Sequence, residues 1–383
     1  MRDGYRKFGT VSRLILGGAL AAGLNAGGAA AQTQTQQAQA EMDAVLVTAT
    51  RTPTRIEDVG SSVSVIDRRE IEAQQYKTVT AALQTVPGLR MVQSGSRGTQ
   101  TSIFTRGAES NQTLVLLNGQ RIADPSTPGG AFNFANMTTD NVQRIEVVRG
   151  PQSALYGSDA IGGVVNIITR TPKDDGIQGQ ANLQAGTLET LDGSVNVNGR
   201  QGRVGFDVTL SGVTTGGDTI TPSRFRPAGA DGEDDGYDKL QGAARLEVDL
   251  SDRLDLSLYG EAHDAEAEID DNPEDPNSES DTRRYVTSAE LSGSFWDGKL
   301  RPSLSVGYTD YRRDNDNPAD TLSPNVINTR NEGNRASVTA ETEIDVHADH
   351  TLVVGGEFYH ETFDSTGQSN FNGFIINQNS DAE

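Results

Sequence analysis

Two runs of acidic side chains carry the most concentrated chemistry in this sequence. Asp218, Asp231, Glu233, Asp234, Asp235 and Asp238 crowd one stretch, and nine acids without a base lie between Asp264 and Thr282. Carboxylates this dense repel one another unless water solvates them or a cation bridges them. Calcium takes about six to eight oxygens from flexible loops and would suit such a set. A solvated acidic face suits it equally in a chain of formal net charge −22, and the two readings stay open on these residues alone. His347-Ala348-Asp349-His350 has two histidines three apart but no third ligand nearby, so a surface turn fits better than zinc. The chain has no cysteine, which removes disulfides, thiolate metal sites and cysteine nucleophiles. No nucleophile, base and orienter can be assembled, so the sequence does not read as an enzyme. With 32 basic residues against 54 acidic ones, there is no basic excess to displace counterions from a nucleic acid.

These residues need elements to hold them. Arg2, Arg6, Lys7 and Arg13 precede an apolar run, Leu14 to Leu24, and Ala29-Ala30-Ala31 supplies a small-residue cleavage site before Gln32. That pattern is an export signal over 1–31. A second triplet, Ala38-Gln39-Ala40, leaves the cut position open. Residues 32–52 then read as a flexible polar tether that carries one β-favouring segment, Asp43–Thr50, isolated before Pro53. Such an edge can add a strand to a partner's sheet.

Residues 53–172 read as a compact mixed α/β domain. Val63–Ile66 is a strand, Asp67 and Glu70 open a helix near Arg68–Gln74, and a second helix over about Val79–Thr85 stops at Pro87-Gly88. Ile103–Gly107, Thr113–Arg121, Val142–Gly150 and Gly163–Thr169 read as strands, with Asn118-Gly119 as a hairpin turn. The Gly-rich stretch Tyr156–Gly163 lacks the Lys-Ser/Thr ending of a phosphate loop.

After Pro172 the apolar residues alternate with period two: Ala181, Leu183, Ala185; Val204, Phe206, Val208, Leu210; Leu246, Val248, Leu250; Leu254, Leu256, Leu258. Similar strands recur to about Phe363. Short joins such as Ser251–Arg253, Trp296–Lys299 and His347–His350 alternate with long ones over roughly 214–238, 266–283 and 312–334. Tight turns on one rim and long loops on the other describe an all-β transmembrane antiparallel β-barrel, against the alternative of a secreted β-sandwich. Tyr259, Tyr285, Trp296, Tyr308 and Tyr311 suit an aromatic girdle. About nine barrel strands are expected over 173–383, with polar loop-like sequence after the last. So few would leave two edges unpaired in lipid, which implies the N-terminal part of an incomplete barrel from a longer protein.

Asp43–Thr50, Val86-Pro87-Gly88, Ile103–Gly107, Leu114–Arg121, Arg144–Pro151 and Tyr156–Thr169 together resemble the plug of the TonB-dependent outer-membrane receptor family. Among its subfamilies the chain most resembles the vitamin B12 (cobalamin) receptors. The resemblance implies a 22-stranded barrel filled by the plug, in the outer membrane of a Gram-negative bacterium, importing a scarce nutrient with energy from TonB in the periplasm. Cobalamin or a related corrinoid is the substrate it implies, with a ferric siderophore as the alternative and a passive porin or adhesin as the most distant one. It places the TonB box on Asp43, Ala44, Val45, Leu46, Val47, Thr48 and Ala49. Substrate contacts fall on Gln100, Ser102, Glu109, Thr127 and Pro128, of which only Ser102 keeps the residue expected there. Structural calcium in the outer loops falls on Asp218, Asp231, Glu233, Asp235, Asp264 and Asp270.

Overall fold

The computed structural model describes residues 54–122, 127–172, 175–219, 234–269, 277–319, 326–347, 350–371 and 374–382. It also describes Val45–Leu46, Thr48–Ala49, Arg51–Thr52, Asp124, Pro222 and Arg224. The export signal, the Gln/Thr lead, Asp43, Ala44, Val47, Asp231, Glu233 and Asp270 lie outside the described residues.

The N-terminal part begins with β1 (Val45–Leu46), paired antiparallel with β2 (Thr54–Arg55). It continues through β3 (Ser62–Asp67), α1 (Arg68–Ala73), α2 (Val79–Leu83), β4 (Leu89–Gln93), β5 (Thr101–Thr105), β6 (Thr113–Leu117), β7 (Gln120–Arg121), β8 (Val142–Arg149), α3 (Ser153–Tyr156) and β9 (Gly163–Thr169). The helices start where side chains can cap them: Asp67 accepts from the Glu70 amide at 2.8 Å, and the Thr78 hydroxyl accepts from Ala81 at 3.2 Å. Asn118 and Gly119 both take positive φ, 53° and 81°, which is the geometry that a two-residue turn needs to fold β7 back on β6.

Five strands form one sheet in the order β3-β8-β9-β6-β7, with β6 parallel to β9 and the other neighbours antiparallel. Every residue of β6 is buried, as its unbroken run Thr-Leu-Val-Leu-Leu requires of a strand covered on both faces. On one face Val115, Leu117, Ile145, Val147, Val165 and Ile167 pack with Ile71, Val79, Ala82 and Leu83 of the two helices. On the other, Leu114, Leu116 and Val164 meet Ala160 and Tyr156.

The rest of the described chain is a single antiparallel sheet. Its strands run β10 (Gly176–Ala185), β11 (Leu191–Gln201), β12 (Val204–Thr215), β13 (Tyr237–Ser251), β14 (Leu254–Ile269), β15 (Ser278–Gly293), β16 (Leu300–Asn317), β17 (Val326–His347), β18 (His350–Phe371) and β19 (Phe374–Ala382), each paired with the next. No helix among the described residues is long and apolar enough to cross a membrane.

Three sequence expectations are corrected here. Ten strands are present rather than about nine, and the polar sequence after Phe363, expected as loop, is strand: β18 runs on to Phe371 and β19 pairs back from Ala382 to Phe363. Two of the three long joins are shorter than expected, because β14 reaches Ile269, β15 starts at Ser278, β16 reaches Asn317 and β17 starts at Val326, whereas β12 ends at Thr215 and β13 starts at Tyr237, as expected. One physical reason covers both. About 9–11 residues cross the hydrocarbon, and strands of 16 to 22 residues continue beyond it, where no lipid enforces alternation but the backbone ladder persists. Third, Tyr259 and Tyr311 are each only 6% exposed and face inward, whereas Tyr285, Tyr308 and Trp296 are 50%, 44% and 69% exposed. Side chains alternate faces along a strand, so Tyr308 and Tyr311, three apart, cannot share a girdle.

Candidate functional site

The segment expected to dangle from a tether is instead seated on the plug. Glu146 of β8 and Asn166 of β9 stand opposite each other in register and place a carboxylate and an amide within the apolar runs Ile145–Val148 and Val164–Ile168. Thr48 lies over them, 1% exposed. Its amide donates to Glu146 Oε2 at 3.2 Å, its hydroxyl donates to the same oxygen, and Asn166 Nδ2 donates to that hydroxyl at 3.0 Å. The Tyr156 hydroxyl donates to the Thr48 carbonyl at 3.0 Å, and burial pushes that phenol up to about 12, so it remains a donor. Ala49, 6% exposed, packs on Val148 with Val59, Val63 and Val65. Beyond it, Arg51 stacks 4.4 Å from the Tyr156 ring centroid and forms a 2.7 Å ion pair with Glu341 of β17, tying the segment to the barrel wall. The sequence carried a signal for this seat, a charge inside Arg-Ile-Glu-Val-Val, but nothing in the local pattern named its partner.

The inward face of the barrel grips the plug through polar side chains. Glu261 and Arg284, 2% and 4% exposed, form a 2.7 Å ion pair, and Glu261 also accepts from Tyr259 at 2.7 Å and from plug Asn141 at 3.1 Å. Lys239 Nζ donates to the Asn136 carbonyl at 2.6 Å, and the Tyr237 hydroxyl donates to the Asn136 side chain at 2.9 Å. Plug Asp124, buried, pairs with Arg313 of β16 at 2.9 Å. Gln120 donates to Ser305 at 2.8 Å toward the tight-turn rim, and Lys77 pairs with Asp192 at 2.9 Å toward the opposite one.

The residues implied as substrate contacts fall in two places. Glu109 is exposed and opens the short helical turn Ser110–Gln112, which packs beside the turn Pro128–Gly130 that follows buried Thr127. Thr127 is fixed by its hydroxyl donating to the Asp124 carbonyl at 2.8 Å. Gln100 and Ser102 are half-buried at the start of β5, where the Thr101 amide donates to Asn133 at 2.9 Å. Thus Asn133, five residues beyond Pro128, links the two groups.

Among the acids, Asp218 follows Gly217, whose Cα lies against the Asp235 backbone, so the two ends of that loop meet. Asp264 does not join them. Gly236, beside Asp235, bonds with Glu268, which puts Asp264 four residues, or about 13 Å, further down its strand. The Asp264 carboxylate is already held by Arg283 at 2.7 Å. Other acids stand near the loop stem: Glu189, Asp238, Glu266 and Glu268 line a cavity of about 180 Å³ beside Gly216 and Gly236. Asp238, Glu266, Asp281 and Asp314 are cross-strand partners in one row, and Glu268, Glu279 and Asp316 in the next. No group of three or more His, Cys, Asp or Glu arranged to hold a metal occurs among the described residues. His347 and His350 face each other across their turn with rings 5.7 Å apart.

A family model described as "TonB-dependent Receptor Plug Domain" matches residues 55–164. A vitamin B12 transporter of Photobacterium profundum is 34% identical over 251 residues, which cover 64% of this chain and 39% of that protein. One of Vibrio vulnificus is 43% identical over 122 residues, 32% of this chain and 20% of that protein. This chain therefore spans well under half the length of those relatives. Among solved structures, the ferripyoverdine receptor of the outer membrane of Pseudomonas aeruginosa superimposes with a TM-score of 0.71 at 15% identity, over 87% of this chain and 46% of that one. A ferric citrate transporter in unliganded form gives 0.63 at 17% identity, over 81% and 48%. Residues 55–164 thus match the plug domain of TonB-dependent receptors, and the strands that follow share the fold of outer-membrane receptor barrels.

Proposed function

We propose that this chain serves energy-coupled uptake of cobalamin or a related corrinoid, with TonB as its periplasmic partner. The observation that carries the reading is the short segment Val45–Ala49, docked through Thr48 on a plug that fills the barrel wall's inner face. A filled barrel does not pass solutes passively, and no nucleotide-binding motif supplies work, so the work enters through a strand that a partner can extend. The likeness to vitamin B12 transporters at 34% and 43% identity supports the corrinoid as substrate. Saturable binding of radiolabelled cyanocobalamin to the full-length protein, unaffected by a panel of ferric siderophores, is the expected result. Saturable binding of a ferric siderophore with none of cobalamin would replace the substrate and keep the machine.

Calcium at the Asp218–Asp235 loop stem belongs to the same proposal. Bound there, the ion would neutralise carboxylates and order the loop before substrate arrives. Chelation should weaken cobalamin binding about tenfold. Asp235→Asn should abolish the calcium response, whereas Asp264→Asn should preserve it, because Arg283 already holds that carboxylate. Titrations with and without calcium that coincide for the unmodified protein would remove the ion from the account.

A further inference from the structure

We propose that Tyr237 of β13 is a positioning residue for the plug, one buried side chain that sets where Gln100 and Ser102 stand. The inference rests on the reading of those two residues as substrate contacts, and it names the wall residue behind them.

Two plug segments meet on this side chain. The first is the turn from Ser94 to Gln100 that joins β4 to β5, closed by the Ser94 amide donating to the Gln100 carbonyl at 2.9 Å. At its tip Gly98 takes a φ of +92°, a conformation that favours glycine, and a Cβ built there would stand 2.5 Å from the Tyr237 ring and 2.7 Å from Ala267. The Arg97 guanidinium lies 5.1 Å from the centroid of the same ring, and the Ser96 hydroxyl donates to the Glu268 carbonyl at 3.1 Å. The second segment is held by the phenol. The Tyr237 hydroxyl donates to Asn136 Oδ1 at 2.9 Å, while Lys239, two residues on and so on the same face, donates to the Asn136 carbonyl. Val213, Ala265 and Ala267 pack around Tyr237 and leave it 2% exposed.

The two segments close on each other around the candidate contacts. The Thr101 amide donates to Asn133 Oδ1 at 2.9 Å, and the Thr101 carbonyl accepts from the Phe134 amide at 3.0 Å. Gln100 and Ser102 flank Thr101. Only two residues separate Gly98 from Gln100, a reach of about 7 Å at most, so little slack lies between the wall and the contact. Tyr237 itself is covered by the plug. Its ring meets a glycine, its hydroxyl meets an amide, and the residues between inherit both constraints.

Hydrogen exchange on the full-length protein in detergent, read separately over residues 94–100 and 133–138, tests this. Tyr237→Phe deletes the hydroxyl and keeps the ring, so exchange over 133–138 should speed up about fivefold, with far less change over 94–100. Gly98→Ala pushes a methyl into the ring, so exchange over 94–100 should speed up about thirtyfold, with far less change over 133–138. Both should weaken cyanocobalamin binding, by about fivefold and thirtyfold, while the barrel's thermal unfolding stays where it was. A merely structural role would lower stability without separating the two segments. Tyr237→Phe is near-isosteric and gives the answer if Gly98→Ala misfolds. Parental exchange rates over 133–138 in Tyr237→Phe would overturn the proposal. Altered exchange with unchanged cyanocobalamin affinity would uphold Tyr237 as the post and refute Gln100 and Ser102 as substrate contacts.

Discussion

Leu46→Pro should reduce TonB-dependent uptake about a hundredfold while substrate binding stays unchanged. Proline deletes the amide that a partner strand would use and fixes φ, so the residue can no longer donate to a ladder. The same substitution disrupts the short pairing of β1 with β2, where Leu46 stands opposite Thr54. The variant would thus be released from its own chain yet useless to a partner. A segment that only blocks the plug would behave in the opposite way, with uptake rising on release. Leu46→Ala keeps the amide and should transport normally. Undiminished uptake by Leu46→Pro, measured with labelled substrate in cells, would end the coupling role.

Arg284→Met should destabilise the seating of the plug by about 3–5 kcal/mol, because it leaves Glu261 buried without its cation. Glu261 would keep the Tyr259 hydroxyl and the Asn141 amide, but neutral donors do not offset a full charge in a dry interface. Adding Glu261→Gln removes the stranded charge and should recover most of the loss, so the two changes together cost less than Arg284→Met alone. Protease resistance of the plug in chemical denaturation reads both. A single variant within about 0.5 kcal/mol of the parent would mean that water reaches the pair and that the interface is not dry.

The plug was largely legible in the sequence because its signals are local. Asp67 and Glu70 mark a helix start, Asn118-Gly119 demands a tight turn, and Thr113–Leu117 is too uniformly apolar to be anything but doubly covered. The barrel was legible only where lipid imposes alternation. At Glu266, Glu268, Asp281 and Asp314 the strands have left the hydrocarbon, and their ladders are held by backbone bonds that carry no sequence pattern. The functional segment was legible as a β-favouring stretch but not as a docked one, since Thr48 meets Glu146 at 98 residues' separation. Glu261, Arg284 and Lys239 escaped for a related reason. Inward polar residues are expected of any barrel, and only the facing plug residues Asn136, Met137 and Asn141 distinguish a grip from a wetted lumen.

The length of β16 and β17 also bears on how such a wall is assembled. Their outward ends carry Arg312, Arg313, Asp314, Asp316, Arg330 and Glu332, all within the paired strands. To reach the far side of the bilayer, that hairpin tip has to be moved through hydrocarbon, where each charge costs about 2.5–3.5 kcal/mol at the centre. Ion pairs such as Arg312 with Asp314 and Arg330 with Asp314 lower that toll only if they form before the crossing. Spontaneous insertion should therefore be slow and strongly dependent on bilayer thickness, and an insertase that thins or opens the membrane should accelerate it most for this hairpin. The tall wall makes the rate of biogenesis, rather than the stability of the finished barrel, the quantity most exposed to changes in lipid.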